Sequence, residues 1–212
     1  MRLQGLYAIT DNLLTPSPYL IERTEQALQG GVRILQYRDK TADKQKRRDE
    51  ALALKALCAQ YQCTFIINDD VELCMEVNAD GVHLGVSDTN IHTARQQLGN
   101  NVIIGATCHG SLDLAHKAVT DGADYVAFGR FYSSTTKPNA EAADLSSIRR
   151  GLAKLDVPAV AIGGITLNKA EVLLEAGFSM LAVIEDIFKP VSITSNITSR
   201  CKAYNDAFER YT

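Results

Sequence analysis

Eight times along this chain a short β-rich apolar run is followed by a longer stretch with helical spacing, and that alternation constrains the fold more than any other feature. Strands are predicted at Leu6–Ile9, Ile34–Gln36, Thr64–Ile67, Gly81–Leu84, Val102–Gly105, Tyr125–Phe128, Ala159–Ile162 and Met180–Val183. Helices are predicted near 18–29, 43–61, 70–77, 89–98, 111–121, 142–153, 167–175 and 193–209. In the second of these, Ala51, Leu54, Leu57, Cys58 and Tyr61 return every three or four residues, as one buried helix face requires. Spread over 212 residues, eight units of about 26 residues suit a (β/α)8 barrel near its lower size limit. Several strands are almost continuously apolar, as parallel strands covered on both faces must be. Three Gly-containing returns, at Asn78-Ala79-Asp80-Gly81, Asp121-Gly122-Ala123-Asp124 and Glu175-Ala176-Gly177-Phe178, lead from a helix into the next strand. A doubly wound open sheet is the competing topology. Its glycine-rich motif is missing after the first strand, where Tyr7-Ala8-Ile9-Thr10-Asp11 stands. With no low-complexity linker to divide it, the chain is expected to form one α/β domain, a single TIM barrel over residues 1–212.

Composition narrows the function classes. Lysine and arginine number 22 against 25 aspartates and glutamates, a net charge of −3, and the pI is near 5.8. A nucleic-acid surface is normally basic, so none is expected, and bound phosphates must be held by locally placed cations. The five cysteines show neither Cys-x-x-Cys nor a metal-ligand spacing with histidine, and are read as free thiols of a reducing compartment. No leader pattern is visible at Met1-Arg2-Leu3-Gln4-Gly5, and no apolar stretch approaches the ~20 residues that span a bilayer. The expectation is a cytoplasmic protein without a membrane partner.

In a barrel the chemistry belongs at the C-terminal ends of the strands, and these ends are polar. After strand two, Gln36, Arg38 and Lys40 alternate onto one side of Gln36-Tyr37-Arg38-Asp39-Lys40, where a guanidinium and an ammonium can hold a diphosphate. A solvated surface turn is the plain alternative. The charge run beyond it, Lys44 with Lys46-Arg47-Arg48-Asp49-Glu50, is read as a solvated helix start. Asp69 and Asp88, on successive strand ends, supply the one or two carboxylates that Mg2+ takes alongside phosphate and water. Helix capping is the rival role for Asp70 and Asp88. After strand five stands Thr107-Cys108-His109, with His109 a possible proton shuttle, while His83 lies within a strand and is read as a hydrogen-bonded core residue. After strand six the apolar run Tyr125–Phe128 passes Gly129 into Ser133-Ser134-Thr135-Thr136-Lys137, donors closed by one cation, a natural anion site. Gly163-Gly164 after strand seven lets backbone amides approach an anion. A turn that needs positive φ explains the same pair.

Taken in order, Gln-x-Arg-x-Lys at Gln36–Lys40, Asn68-Asp69, Gly81-Val82-His83-Leu84-Gly85, Ile104-Gly105 with His109, Asp124-Tyr125-Val126 with Phe128-Gly129, Thr136-Lys137 and Ile162-Gly163-Gly164-Ile165 resemble the thiamine phosphate synthase family. The resemblance runs over almost the whole chain. It implies condensation of an aminopyrimidine diphosphate with a thiazole phosphate, releasing pyrophosphate, with Mg2+ as cofactor. It assigns Gln36, Tyr37, Arg38, Asp39, Lys40, Asn68, Thr107 and Lys137 to the pyrimidine diphosphate. Ser134, Thr135, Thr136, Gly164, Ile184 and Glu185 fall to the thiazole phosphate, and Asp69 and Asp88 to the metal. Arg38, Lys40, Thr107 and Lys137 are the expected catalytic group. Glu185 stands where the family has a serine, and a carboxylate repels a phosphate dianion, so the backbone N–H is expected to carry that contact.

Two rivals accompany this expectation. A thiazole tautomerase of the same superfamily would use His109 as its shuttle but has no diphosphate to hold, which Arg38, Lys40, Asn68, Asp69 and Lys137 together would do. A non-catalytic thiamine-phosphate binding protein would not need the site to be nearly complete.

Overall fold

A computed structural model describes residues 3–133, 142–189 and 196–211. Strands β1 (Gly5–Ile9), β2 (Ile34–Tyr37), β3 (Thr64–Asn68), β4 (Gly81–Leu84), β5 (Ile103–His109), β6 (Tyr125–Phe128), β7 (Ala159–Ile162) and β8 (Met180–Val183) close in sequence order into one parallel barrel. Helices α1 (Leu20–Gln29), α2 (Lys44–Gln60), α3 (Val71–Glu76), α4 (Ile91–Leu98), α5 (Leu112–Thr120), α6 (Leu145–Leu152), α7 (Leu167–Glu175), α8 (Glu185–Phe188) and α9 (Ile197–Glu209) lie outside it. The fold is therefore a (β/α)8 barrel, as the eightfold alternation requires. Among the described residues, no helix is long and apolar enough to cross a membrane.

Strand alternation builds two cores. One set of strand residues, including Leu6, Leu35, Phe65 and Val126, packs outward against the helices. The alternate set, including Tyr7, Ile34, Ile66, Tyr125, Val160 and Met180, fills the barrel interior. The helix-to-strand returns share a left-handed residue, but not always the expected glycine: φ is 52° at Asn78, 103° at Gly122 and 103° at Gly177. Asparagine tolerates this region because its short side chain can bond locally.

Several element ends differ from the sequence expectation by a few residues, and two differences bear on the site. β5 continues to His109, so Thr107 is a strand residue and not a loop residue, with a register shift against β6 between Thr107 and His109. α8, four residues long, follows β8 directly and is separate from α9. Within the charge run at the start of α2, Lys44 and Asp49 are exposed as expected, whereas Lys46, Arg47 and Arg48 are paired with other elements. Lys46 pairs with Asp39 of the β2 loop, Arg47 with Asp70 at 2.8 Å and Arg48 with Glu76 at 2.6 Å. The Lys46 and Arg47 pairs tie α2 to the segments after β2 and β3, where the polar strand termini begin, and Arg48 reaches the end of α3.

Candidate active site

A cavity of about 930 Å³ opens at the C-terminal mouth of the barrel. Its floor carries Tyr7, Gln36, His83 and Thr107; one wall carries Arg38, Lys40, Asn68, Asp69 and Asp88; the opposite wall carries Gly163, Gly164, Lys169, Ile184 and Glu185.

The first wall follows from the end of β2. Gln36, Arg38 and Lys40 face the cavity, whereas the Tyr37 and Asp39 side chains turn to the helix layer, which leaves these two only their backbone to offer a diphosphate. Strand alternation is the cause. The Tyr37 hydroxyl donates to Glu50 Oε2 at 2.6 Å. Asp39 accepts from Lys46 and from the Thr41 backbone N–H. Burial works to raise the Asp39 carboxyl, but these donors outweigh it and hold the group well below the usual carboxylate range. A depressed native pKa gives stability that is present above the unfolded value, about 4, and is lost as pH falls through the native one. Asp39→Asn is therefore expected to cost about 2 kcal/mol at neutral pH, with the deficit shrinking below about pH 4. Urea melts across pH check the sign, and an unchanged pyrimidine diphosphate KM would show that the side chain acts on the fold.

Asp70 ends β3 by capping α3 through the Leu73 N–H at 2.9 Å, leaving Asn68 and Asp69 on the strand end. Asp69 has φ 63°. Its Oδ2 accepts from Lys40 Nζ and from Asn68 Nδ2. Asp88, by contrast, is not the cap of α4. Asn90 fills that role, bonding the His92 N–H, and Asp88 folds back to accept from the Gly85 N–H at 2.7 Å. That turn brings it into hydrogen-bond contact with Asp69. Burial works to raise Asp69, yet the Lys40 ammonium leaves it below its ordinary value. Burial and the Asp69 carboxylate together raise Asp88.

Two carboxyl groups in mutual contact beside a cavity fit a divalent cation. Among the described residues, no group of three or more His, Cys, Asp or Glu side chains is placed to hold a metal. A pair of hard oxygen donors with the remaining positions left to water and phosphate matches Mg2+ better than zinc.

On the opposite wall, Gly163 and Gly164 have φ 104° and 62°. A Cβ on Gly164 would stand 2.2 Å from the Ser133 carbonyl oxygen, so the pair also lets the loops after β6 and β7 pack together. Lys169, in the first turn of α7, lies with its ammonium 4.3 Å from the Tyr132 ring centroid and 3.4 Å from the Gly164 oxygen. Behind this wall, Asp186 Oδ2 accepts from the Leu167 N–H at 3.0 Å and the Tyr204 hydroxyl at 2.7 Å, tying α7, α8 and α9 together. Ser134, Thr135, Thr136 and Lys137 lie outside the described residues. His109 is exposed on the cavity rim, with φ 49°.

Sequence reasoning passed over Lys169, Tyr7 on the floor and Tyr125 beneath it. A lysine in the first helical turn opposes the helix dipole, and that mismatch was the available signal for Lys169. Tyr7 and Tyr125 look like core aromatics because both lie in apolar strands.

A profile of the thiamine monophosphate synthase family matches residues 6–187. The thiamine-phosphate synthase of Alcanivorax borkumensis is 51% identical over 187 residues, covering 88% of this chain and 86% of its own. That of Marinobacter nauticus is 49% identical over 207 residues, covering 98% and 92%. The thiamine phosphate pyrophosphorylase structure from Pyrococcus furiosus superposes with a TM-score of 0.88 at 30% identity, covering 98% and 96%. With a closed barrel, two charged walls at its mouth and these relatives over nearly its full length, the chain is an enzyme of the thiamine monophosphate synthase family.

Proposed function

We propose that the protein condenses 4-amino-2-methyl-5-(diphosphooxymethyl)pyrimidine with 4-methyl-5-(2-phosphoethyl)thiazole to thiamine phosphate and pyrophosphate, or with its carboxylated form to the same products and CO2. One observation carries this: one cavity has cationic side chains on two opposite walls, Arg38 and Lys40 on one and Lys169 on the other, with a polar floor between them. Arg38, Lys40 and Asn68 face one wall and hold the diphosphate, with Lys137 added from the sequence. Gln36 and Thr107 hold the pyrimidine ring. Gly164, Lys169 and the backbone at Ile184 and Glu185 receive the thiazole phosphate, with Ser134, Thr135 and Thr136 added from the sequence.

The chemistry asks for little proton transfer. The C–O bond to the diphosphate breaks, the electron-rich aminopyrimidine carries the positive charge at its methylene, and the thiazole nitrogen forms the new C–N bond with no proton to lose. Fixed cations stabilise the charge gathering on the leaving group. Asp69 and Asp88 would hold Mg2+, which when bound neutralises phosphate charge. Arg38 and Lys40 orient the diphosphate, while Gln36 and Thr107 on the floor fix the ring that carries the methylene.

Incubating the protein with both substrates and Mg2+ and following pyrophosphate release tests the proposal. Thiazole tautomerisation without pyrophosphate release would overturn it in favour of the tautomerase, with His109 as its shuttle. Binding without either reaction would mark a non-catalytic binder. Lys169 provides a finer check on the two-wall division. Lys169→Gln is expected to raise the thiazole phosphate KM about tenfold, as loss of one charge-assisted contact does. The pyrimidine diphosphate KM should stay within about twofold, and Lys169→Arg should restore most of the loss.

A further inference from the structure

Beneath the cavity a hydrogen-bonded chain crosses the barrel interior. Gln36 Nε2 donates to the Tyr7 hydroxyl at 2.7 Å, and that hydroxyl is 2.8 Å from the Tyr125 hydroxyl. The Tyr125 hydroxyl is 2.9 Å from His83 Nδ1, and His83 Nε2 is 2.9 Å from Thr107 Oγ1. Five residues on five strands thus join the two side chains that receive the ring. Gln36, Tyr7, His83 and Thr107 line the cavity; Tyr125 does not and is 1% exposed. Its place is reserved by β5, because a Cβ on Gly105 would stand 2.0 Å from the Tyr125 ring. The tyrosine also stacks on His83 with ring centroids 5.5 Å apart.

The direction of the protons follows from counting donors. The Tyr7 hydroxyl accepts from Gln36, and its partners among the described residues are Gln36 and Tyr125. If Tyr125 donated to it as well, the Tyr7 proton would have no protein acceptor in a position that is 1% exposed. With Tyr7 donating to Tyr125, Tyr125 donates to His83 Nδ1, and the imidazole then carries its proton on Nε2 and donates to Thr107. The Thr107 hydroxyl proton is left for the cavity. At the other end, Gln36 has committed its amide nitrogen to Tyr7, leaving its carbonyl oxygen as the acceptor.

We propose that Tyr125 is a positioning residue for substrate selection, polarising the chain from Gln36 to Thr107 so that the cavity floor presents a fixed acceptor at one end and a fixed donor at the other. The ligand that fits is a heteroaromatic ring with an N–H donor for Gln36 and a ring-nitrogen lone pair for Thr107. An aminopyrimidine has both, and a ring with hydrogen in place of the amino group lacks the donor. This deepens the proposed function and rests on it for the substrate class.

The test is calorimetric binding of two ligands without the thiazole partner: the aminopyrimidine diphosphate and its analogue with hydrogen in place of the amino group. The wild-type protein is expected to prefer the amino compound by about a hundredfold or more, as sites built around a hydrogen bond do. Tyr125→Phe keeps the ring and removes only the oxygen. It is expected to cut that preference about tenfold, mainly by weakening the amino compound. Tyr7→Phe should act alike, and the double variant should be no worse than either single one, because a broken chain cannot be broken twice. A wild-type preference under about tenfold, equal loss for both ligands in Tyr125→Phe, or additive losses in the double variant would each overturn the proposal. Strong amino preference without pyrophosphate release on adding the thiazole would instead defeat the reaction and leave the positioning role standing.

Discussion

Asp69→Asn is expected to lower pyrophosphate release about a thousandfold, the larger end of what losing one preorganised electrostatic group costs. Asp69 holds the wall together: Oδ2 takes both the Lys40 ammonium and the Asn68 amide, and the carboxyl touches Asp88. Asparagine is the better probe than alanine because the residue sits at φ 63°, a region that asparagine tolerates and alanine does not. The half-activating Mg2+ concentration should rise at least about tenfold, while the melting midpoint stays close to wild type. Steady-state rates across a Mg2+ titration give both quantities. Turnover within about tenfold of wild type at saturating Mg2+ would remove Asp69 from the chemistry.

Gly164→Ala should produce the second large effect, on the other wall. The added methyl would lie 2.2 Å from the Ser133 oxygen and 2.8 Å from the Tyr132 oxygen, so the loop after β6 must move, and φ 62° adds strain. A displacement of an ångström at a positioned group costs on the order of a hundredfold. That loss should fall on kcat/KM for the thiazole phosphate, with pyrimidine diphosphate binding close to wild type. Two-substrate kinetics separate the terms. An unaltered thiazole phosphate KM would take Gly164 out of that site.

The barrel was legible because its signal is local and repeated. β4, β6, β7 and β8 have the boundaries that their apolar runs suggest. Helix α8 escaped notice because four residues show no period. Alternation along β2 correctly put Gln36, Arg38 and Lys40 together, and the same rule applied to Tyr37 and Asp39 would have sent them to α2. Asp88 was ambiguous because an aspartate before a helix reads as a cap until the neighbouring Asn90 is seen to take that place. The floor was illegible for a different reason. Tyr7 and Tyr125 are 118 residues apart, and only closure of the barrel makes them partners. His83 was correctly read as hydrogen-bonded, but its partners could not be named from a strand of four residues.

Arg38 and Lys40 do not wait unpaired at the mouth. Arg38 is 3.5 Å from Asp11, and Lys40 is bound to Asp69, so at this wall the resting site carries its own counter-ions. An arriving anion must outbid them. A monovalent ion such as chloride offers little charge to do so, whereas a diphosphate bound as proposed would engage both cations at once and would leave Asp69 free to turn to a divalent metal. On the proposed function, such a site would select by valence and stay open to its substrate among small anions.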